Sequence, residues 1–330
     1  MSIYAICAVW GNTKNNHAGM YYLAKQLKQR AEYDIRIISI PVRGSWYLTP
    51  FYRLLNVCVA CYLYFILKPE DVVFLMEYLL PVCEQADIAR IVRRKSKVLA
   101  LAHLVPDRIE KSYPTKHMLK KVSYVDKLFV LGSSLRNYFI KKGVNEDKVV
   151  RTFHYVDNEY YTPGICNKEK LNIVCMGNME RNYDDLRILI SQLPSLHFHI
   201  CMGVRDLSDY FSNFTNVELH GFMPESELRN LMQSSDISLN MMNDTVGSNV
   251  ITTSLASGLV VLASNVGSIA DYITDGKDGF LFDNIQEALD KLGLLANDRT
   301  LLHTMKMNAV DKAKTLSINS FLKWFEQWTK

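Results

Sequence analysis

A backbone that approaches a phosphate closely needs small residues and unshared N–H groups. One stretch of this sequence offers both. Gly247-Ser248-Asn249 follows an apolar run at 237–240 and precedes a helical pattern that ends near Gly258. A strand feeding such a loop, with the loop opening a helix, turns amides and the positive end of the helix dipole toward an anion. Ser248 or Asn249 can also cap that helix, and the two roles are compatible. A departing phosphate group calls for a cation as well. Arg181 supplies one in a second glycine loop, Met176-Gly177-Asn178-Met179-Glu180-Arg181, which follows an apolar run at 172–176.

The first half of the chain has its own candidates. His103 follows an apolar run at 98–102, where an imidazole can hydrogen-bond a hydroxyl or assist a leaving group. The loop 11–19 follows the first apolar run and opens a helical pattern, with His17 and Gly19 the residues to watch. Its spacing is not G-x-G-x-x-G, and NAD is not expected. Cys58 and Cys61 form a C-x-x-C inside an apolar run. No second Cys/His pair stands at zinc-finger distance, so both are expected to be buried helix residues. His197, His199 and Cys201 alternate through a strand-like run and are expected to divide between its two faces, which argues against a metal there. No metal is expected.

These residues need a scaffold, and the pattern around them describes one. Strand-like runs at 3–9, 34–40, 72–76, 98–102, 127–131 and 149–152 alternate with helical patterns. Around 156–170 the alternation breaks into a polar, turn-rich linker. It then restarts with runs at 172–176, 197–202, 217–220, 237–240, 260–264 and 279–282. Strand, crossover helix, strand is the mark of a parallel sheet covered on both faces. The expected fold class is therefore α/β, in two tandem Rossmann-like domains with a cleft between them. The expected boundaries are 1–160 for the first domain and 161–315 for the second. The segment 316–330 is expected to be a helix packing back on the first domain through Phe321, Leu322, Trp324, Phe325 and Trp328.

The 330 residues are 48% hydrophobic and 22% charged, an ordinary globular composition. The formal net charge of +4 conceals an asymmetry: residues 1–160 hold 24 Lys and Arg against 14 Asp and Glu, so the first half is basic and the second acidic. A basic first half suits an anionic surface or substrate. Nucleic acid is not expected, because a pI near 8.5 is low for such domains and no binding motif is present. The seven scattered cysteines fit a reducing, cytoplasmic compartment, and, with the N-terminus opening directly into an apolar run, no signal peptide is expected. The segment 48–67 is about one bilayer span long with Arg53 its only charge. Pro50, Asn56 and its tyrosines favour a buried or surface-docking helix over a span, and an exposed one would make a peripheral membrane contact.

The order of motifs in 217–282 carries a resemblance. Gly221-Phe222-Met223-Pro224, Ser235-Asp236, Ala256-Ser257-Gly258, Val260-Val261 and Ala263-Ser264 follow one another, and Asp275-Gly276 and Gly279-Phe280 close the stretch. This resembles the C-terminal domain of family 4 glycosyltransferases, retaining enzymes of the GT-B fold. Val130-Leu131-Gly132-Ser133-Ser134, His154-Tyr155-Val156-Asp157 and the glycine loop before Asp184 resemble the same family. The resemblance covers 127–282 well and the first domain loosely. It implies that 1–160 is an acceptor-binding domain, with His17 and Gly19 in an acceptor or phosphate loop, and that 161–315 is a nucleotide-sugar-binding domain whose donor site includes Gly177, Asp244, Thr245, Gly247, Ser248, Asn249 and Thr253, with His103 and Arg181 in catalytic roles. One departure stands out. Where the family usually carries a Glu, seven residues and a second Glu, this chain has Thr245 and Thr253, which can hydrogen-bond but supply no charge. Asp244 is a neighbouring substitute.

The resemblance implies transfer of a hexose from a nucleotide diphosphate sugar, UDP-linked, with retention and without a metal or other cofactor. The basic half and segment 48–67 point to a glycan or polyprenyl-pyrophosphate acceptor at the cytoplasmic face of the plasma membrane, as in capsule, O-antigen or exopolysaccharide assembly. The missing carboxylates raise one alternative, a non-catalytic GT-B partner that binds a glycan or a second transferase; a sugar-nucleotide epimerase of the same fold is another.

Overall fold

The computed structural model describes residues 1–11, 16–43, 46–164 and 171–329. Parts of two segments singled out above, 12–15 of the first loop and 165–170 of the linker, lie outside the described residues. The chain divides into two compact units, Met1–Phe153 with Ile318–Lys330, and His154–Ser317.

The first unit contains β1 (Ser2–Trp10), α1 (Met20–Arg30), β2 (Asp34–Val42), α2 (Thr49–Ile66), β3 (Val72–Leu75), α3 (Ala86–Val92) and β4 (Lys97–Ala102). Then come α4 (Pro106–Ser112), α5 (Thr115–Val122), β5 (Lys127–Val130), α6 (Ser133–Lys141) and β6 (Val149–Arg151). The strands form one six-stranded sheet in the order β2-β1-β3-β4-β5-β6, parallel throughout. β3 is apolar and buried at every residue, as a strand covered on both faces must be.

The second unit contains β7 (Asn172–Cys175), α7 (Tyr183–Ser191), β8 (His197–Cys201), α8 (Ser208–Phe211), β9 (Val217–His220), α9 (Glu225–Gln233) and β10 (Ile237–Asn240). It continues with α10 (Asn249–Ala256), β11 (Val260–Ser264), β12 (Gly279–Phe282), α11 (Ile285–Asn297) and α12 (Arg299–Thr315). Its parallel sheet runs β12-β11-β10-β7-β8-β9. Read from β9, this is the 3-2-1-4-5-6 order of a Rossmann sheet. Asp236, just ahead of β10, ties the two central strands. Its carboxylate accepts from the Asn172 amide at 3.1 Å and from Lys306 Nζ at 3.1 Å, while its own amide donates to the Asn172 carbonyl.

The last helix, α13 (Ile318–Thr329), lies in the first unit. Phe325 is fully buried against Phe74 of β3, with ring centroids 4.7 Å apart, and Trp324 meets Phe129 of β5 edge-on at 4.8 Å. Lys97 Nζ donates to the Trp328 carbonyl at 2.7 Å.

Two expectations are corrected. Cys58 and Cys61 are exposed on α2 rather than buried. That helix turns Tyr52, Asn56, Ala60 and Leu63 inward at helical spacing, which leaves the thiols on the opposite face beside Leu54, Tyr62 and Phe65. His197, His199 and Cys201 do not divide between faces. Residues two apart in a strand share a face, and all three lie on the one opposite Phe198 and Ile200.

Candidate functional site

In each sheet the chain reverses its direction of winding once: between β1 and β3 in the first unit, and between β7 and β10 in the second. Ligands of open parallel sheets bind beyond the carboxyl ends of the strands at that point. In the second unit the two loops leaving it are the Gly177 loop, after β7, and residues 241–248, after β10.

The two loops are held together by backbone pairing. The Asn182 amide donates to the Met241 carbonyl at 3.0 Å, and the Asn243 amide to the Glu180 carbonyl at 2.8 Å. Gly177 has φ +85°. A Cβ there would lie 2.7 Å from Arg181 Nη2 and 3.2 Å from Val250 Cγ2 at the start of α10. The glycine therefore lets Arg181 and the head of α10 close on one point. Arg181 is half-buried, and its Nε donates to the Met176 and Gly177 carbonyls at 3.0 and 3.4 Å. Among the described residues no carboxylate stands within ion-pair distance of it. Burial pushes its guanidinium down to about 10, which still leaves it charged at neutral pH.

The head of α10 is built from short-range bonds. Ser248 caps the helix, its hydroxyl accepting from the Val250 amide at 3.2 Å while its carbonyl accepts from the Thr252 amide. Gly247 has φ +121°, and a Cβ there would fall well inside van der Waals contact with Tyr272 Oη. That hydroxyl accepts from the His154 amide at 2.9 Å. Tyr272 thus props the loop from beneath. Sequence reasoning missed it: the residue is 25 positions from Gly247, and nothing local in its type or neighbours ties it to this loop.

The two threonines at the family's glutamate positions point inward. Thr245 is 6% exposed and its hydroxyl accepts from the Gly247 amide at 3.2 Å. Thr253 is 7% exposed and its hydroxyl donates to the Asn249 carbonyl at 2.7 Å. Both shape the loop and helix. Asp244 is half-buried, with its carboxylate accepting from the Thr245 amide at 2.7 Å, and Asn249 is exposed at the first position of α10. Gly177, Arg181, Asp244, Thr245, Gly247, Ser248, Asn249 and Thr253 are thus gathered on two adjoining loops and the helix they lead into.

His17, Gly19 and His103 belong to the first unit. Gly19 stands at the N-cap of α1 with φ +88°, and His17 packs on Tyr22 with ring centroids 5.0 Å apart. His103 is half-buried between β4 and α4. All three follow the carboxyl ends of strands, His17 and Gly19 those of β1 and His103 that of β4.

Two Rossmann-like sheets, each with one switch point, define an α/β protein of the GT-B type. Residues 170–298 match the family described as glycosyl transferases group 1. No curated protein sequence matches. Solved structures share the fold across the whole chain. A glycosyltransferase from Rickettsia africae is 16% identical, with a TM-score of 0.75 over 100% of this chain and 98% of that one. Sucrose-phosphate synthase from Thermosynechococcus elongatus is 12% identical, with a TM-score of 0.77 over 99% and 98%. Anabaena HepE in complex with UDP-glucose is 13% identical, with a TM-score of 0.71 over 98% of each chain.

Proposed function

We propose that the protein is a retaining hexosyltransferase. It moves a sugar from a nucleotide diphosphate donor, UDP-linked, to a glycan or polyprenyl-pyrophosphate acceptor in bacterial polysaccharide assembly. The observation that carries the reading is Arg181: a half-buried cation with no carboxylate partner among the described residues, beside the N-terminus of α10 at a switch point. A diphosphate fits that arrangement, with the guanidinium and the helix end sharing the negative charge that grows on the leaving nucleotide. On this reading the transfer step needs no resident metal. Gly177 and Gly247 admit the phosphates, Asn249 meets the donor from the helix end, and Asp244 is the acidic group nearest the sugar. His103, with His17 and Gly19, serves the acceptor side. The likeness to HepE, whose structure holds UDP-glucose, supports the choice of nucleotide.

The membrane part of the proposal rests on α2. Leu54 is 63% and Phe65 85% exposed, with Phe51 and Tyr62 beside them. Lys95 Nζ lies 4.7 Å from the Tyr64 ring centroid, so the basic run 93–95 borders the apolar face. An apolar stripe with a cationic edge suits the interface of an anionic bilayer, at the cytoplasmic side.

A thermal-shift panel of UDP, GDP, ADP, CMP and their sugar conjugates tests the donor class, since a ligand that binds only the native state raises its melting temperature. UDP and one UDP-sugar are expected to stand out; no shift with any nucleotide overturns the proposal. The inward hydroxyls of Thr245 and Thr253 favour one second reading, a non-catalytic nucleotide-binding partner. UDP binding without release of UDP from any donor, in the presence of lipid-linked acceptors, would support it.

A further inference from the structure

The shared face of β8 and β9 carries three imidazoles and a carboxylate. Parallel register sets His199 opposite Glu218 and Cys201 opposite His220, so the two strands present these side chains on one side of the sheet. His199 Nδ1 is 3.1 Å from His220 Nε2 and 3.4 Å from Glu218 Oε2. His197 Nε2 is 3.6 Å from Glu218 Oε2, and His220 Nε2 is 3.7 Å from Glu218 Oε1. One ligand atom from each of His197, His199 and Glu218 lies within 4.8 Å of the others.

We propose that His197, His199 and Glu218 bind a divalent first-row transition ion, zinc first among them, with His220 at the fourth position. Two ligands held 2.0–2.1 Å from a tetrahedral zinc stand about 3.3–3.4 Å apart; the separations of Glu218 from His199, His197 and His220, at 3.4, 3.6 and 3.7 Å, lie close to that, and small rotamer shifts would gather His197 and His220 onto one ion. Imidazole nitrogen with one carboxylate oxygen suits zinc and its neighbours rather than calcium or magnesium, which prefer oxygen throughout. The strand geometry contributes as much as the residue types. His199 is 7% exposed and fixed on β8, next to the sheet's interior, while Glu218 lies on β9, the edge strand. An ion bound between them would staple the edge strand to its neighbour and fix the Gly221-Phe222-Met223-Pro224 turn that follows β9. None of the four residues belongs to the proposed donor site, so the inference stands or falls apart from it.

The test is zinc titration by calorimetry on untagged, chelator-treated full-length protein, with melting temperature read in parallel and cobalt(II) as the spectroscopic probe. One equivalent of zinc is expected to bind with micromolar or tighter affinity, raise the melting temperature and, as cobalt, give a tetrahedral absorption band. E218Q, at an exposed position, and H197A are each expected to weaken binding by roughly tenfold or more. That loss is no smaller than the one that follows removal of an outer-shell partner. H199A is expected to abolish the cobalt band, and the two surface variants keep the test open should this buried change fail to fold. Absence of binding at millimolar zinc overturns the proposal and leaves the cluster a hydrogen-bonded set. Binding undiminished in both E218Q and H197A also overturns it and assigns the ion elsewhere, the exposed Cys58 and Cys61 first.

Discussion

Replacing Arg181 by Met should separate binding from stability. Burial lowers the guanidinium from its ordinary 12.5 to about 10. At about 1.4 kcal/mol for each factor of ten, the folded protein bears on the order of 3 kcal/mol for keeping this charge out of water. The sign follows from the direction of the shift. Both folded and unfolded chains hold the proton at pH 7, and the charged form is the one penalised on folding. Methionine removes that cost but forfeits the Nε bonds to the Met176 and Gly177 carbonyls, worth ~1 kcal/mol net. The balance is about 2 kcal/mol in favour of the variant, a rise of several degrees in melting temperature for a unit of this size. If the proposed function holds, the same change removes a charge-assisted bond to the donor phosphates, worth ~1.5–3 kcal/mol, or roughly 10- to 150-fold in UDP affinity. Differential scanning fluorimetry with and without UDP reads both quantities. A variant that melts well below the wild type, or one that keeps its UDP shift, would refute the reasoning and make Arg181 a structural residue.

Gly247→Ala places a Cβ against Tyr272 Oη at a φ of +121°, and should cost ~2–4 kcal/mol in urea unfolding, with the nucleotide shift reduced in parallel. Glu77 is buried at the end of β3, where burial raises its carboxyl to about 8 against a partial offset from the Ala8 amide it accepts from. The native state therefore holds a proton that the unfolded chain releases above about pH 4.5. This contribution to stability should decline by ~1.4 kcal/mol for each pH unit between about 4.5 and 8. Glu77→Gln should flatten that slope in denaturation measured at pH 5, 6.5 and 8. Phe325→Ala should cost ~3–5 kcal/mol in the first unit, since the ring is fully buried against Phe74 and Phe129. Leu54→Glu with Phe65→Glu, both on the exposed face of α2, should abolish sedimentation with anionic liposomes while leaving the melting temperature within a degree or two.

The sheets were legible because fully buried parallel strands write themselves as continuous apolar runs; Val72-Val73-Phe74-Leu75 has no other economical reading. The positions of Gly177, Gly247 and Ser248 were legible for a related reason: each sits where a strand's run ends and a helical pattern begins. Exposure was not. The apolar composition of α2 suggests burial for Cys58 and Cys61, but which face of a helix is covered depends on what the rest of the chain brings to it. Tyr272, and the absence among the described residues of a carboxylate within ion-pair distance of Arg181, are facts about the folded arrangement, and no window of sequence contains them. The β8 histidines differ in kind, because their common face was available from the two-residue period alone; Glu218 and His220 then needed only the β8–β9 register.

The threonines and the arginine bear on one another. The resemblance expects two glutamates around α10, and carboxylates there would place negative charge close to the Gly177 loop. Instead the two hydroxyls are turned inward, onto the Gly247 amide and the Asn249 carbonyl. Short neutral side chains that satisfy backbone groups keep the loop and helix in shape while adding no charge. Arg181 correspondingly has no carboxylate within ion-pair distance among the described residues, and the cost of its desolvation is only partly offset by its bonds to the Met176 and Gly177 carbonyls. A positive charge held there by two carbonyls alone leaves room for an anion arriving from solution to stabilise it further. That argument holds for a transferase and for a non-catalytic nucleotide binder alike. What separates them is whether a group near the sugar can take over from the absent glutamates, and Asp244 is the residue to ask. Its carboxylate already accepts from the Thr245 amide at 2.7 Å, so Asp244→Asn would keep an oxygen there while removing the charge. Loss of transfer with UDP affinity retained would place Asp244 at the sugar, and equal loss of both would confine it to the loop's architecture.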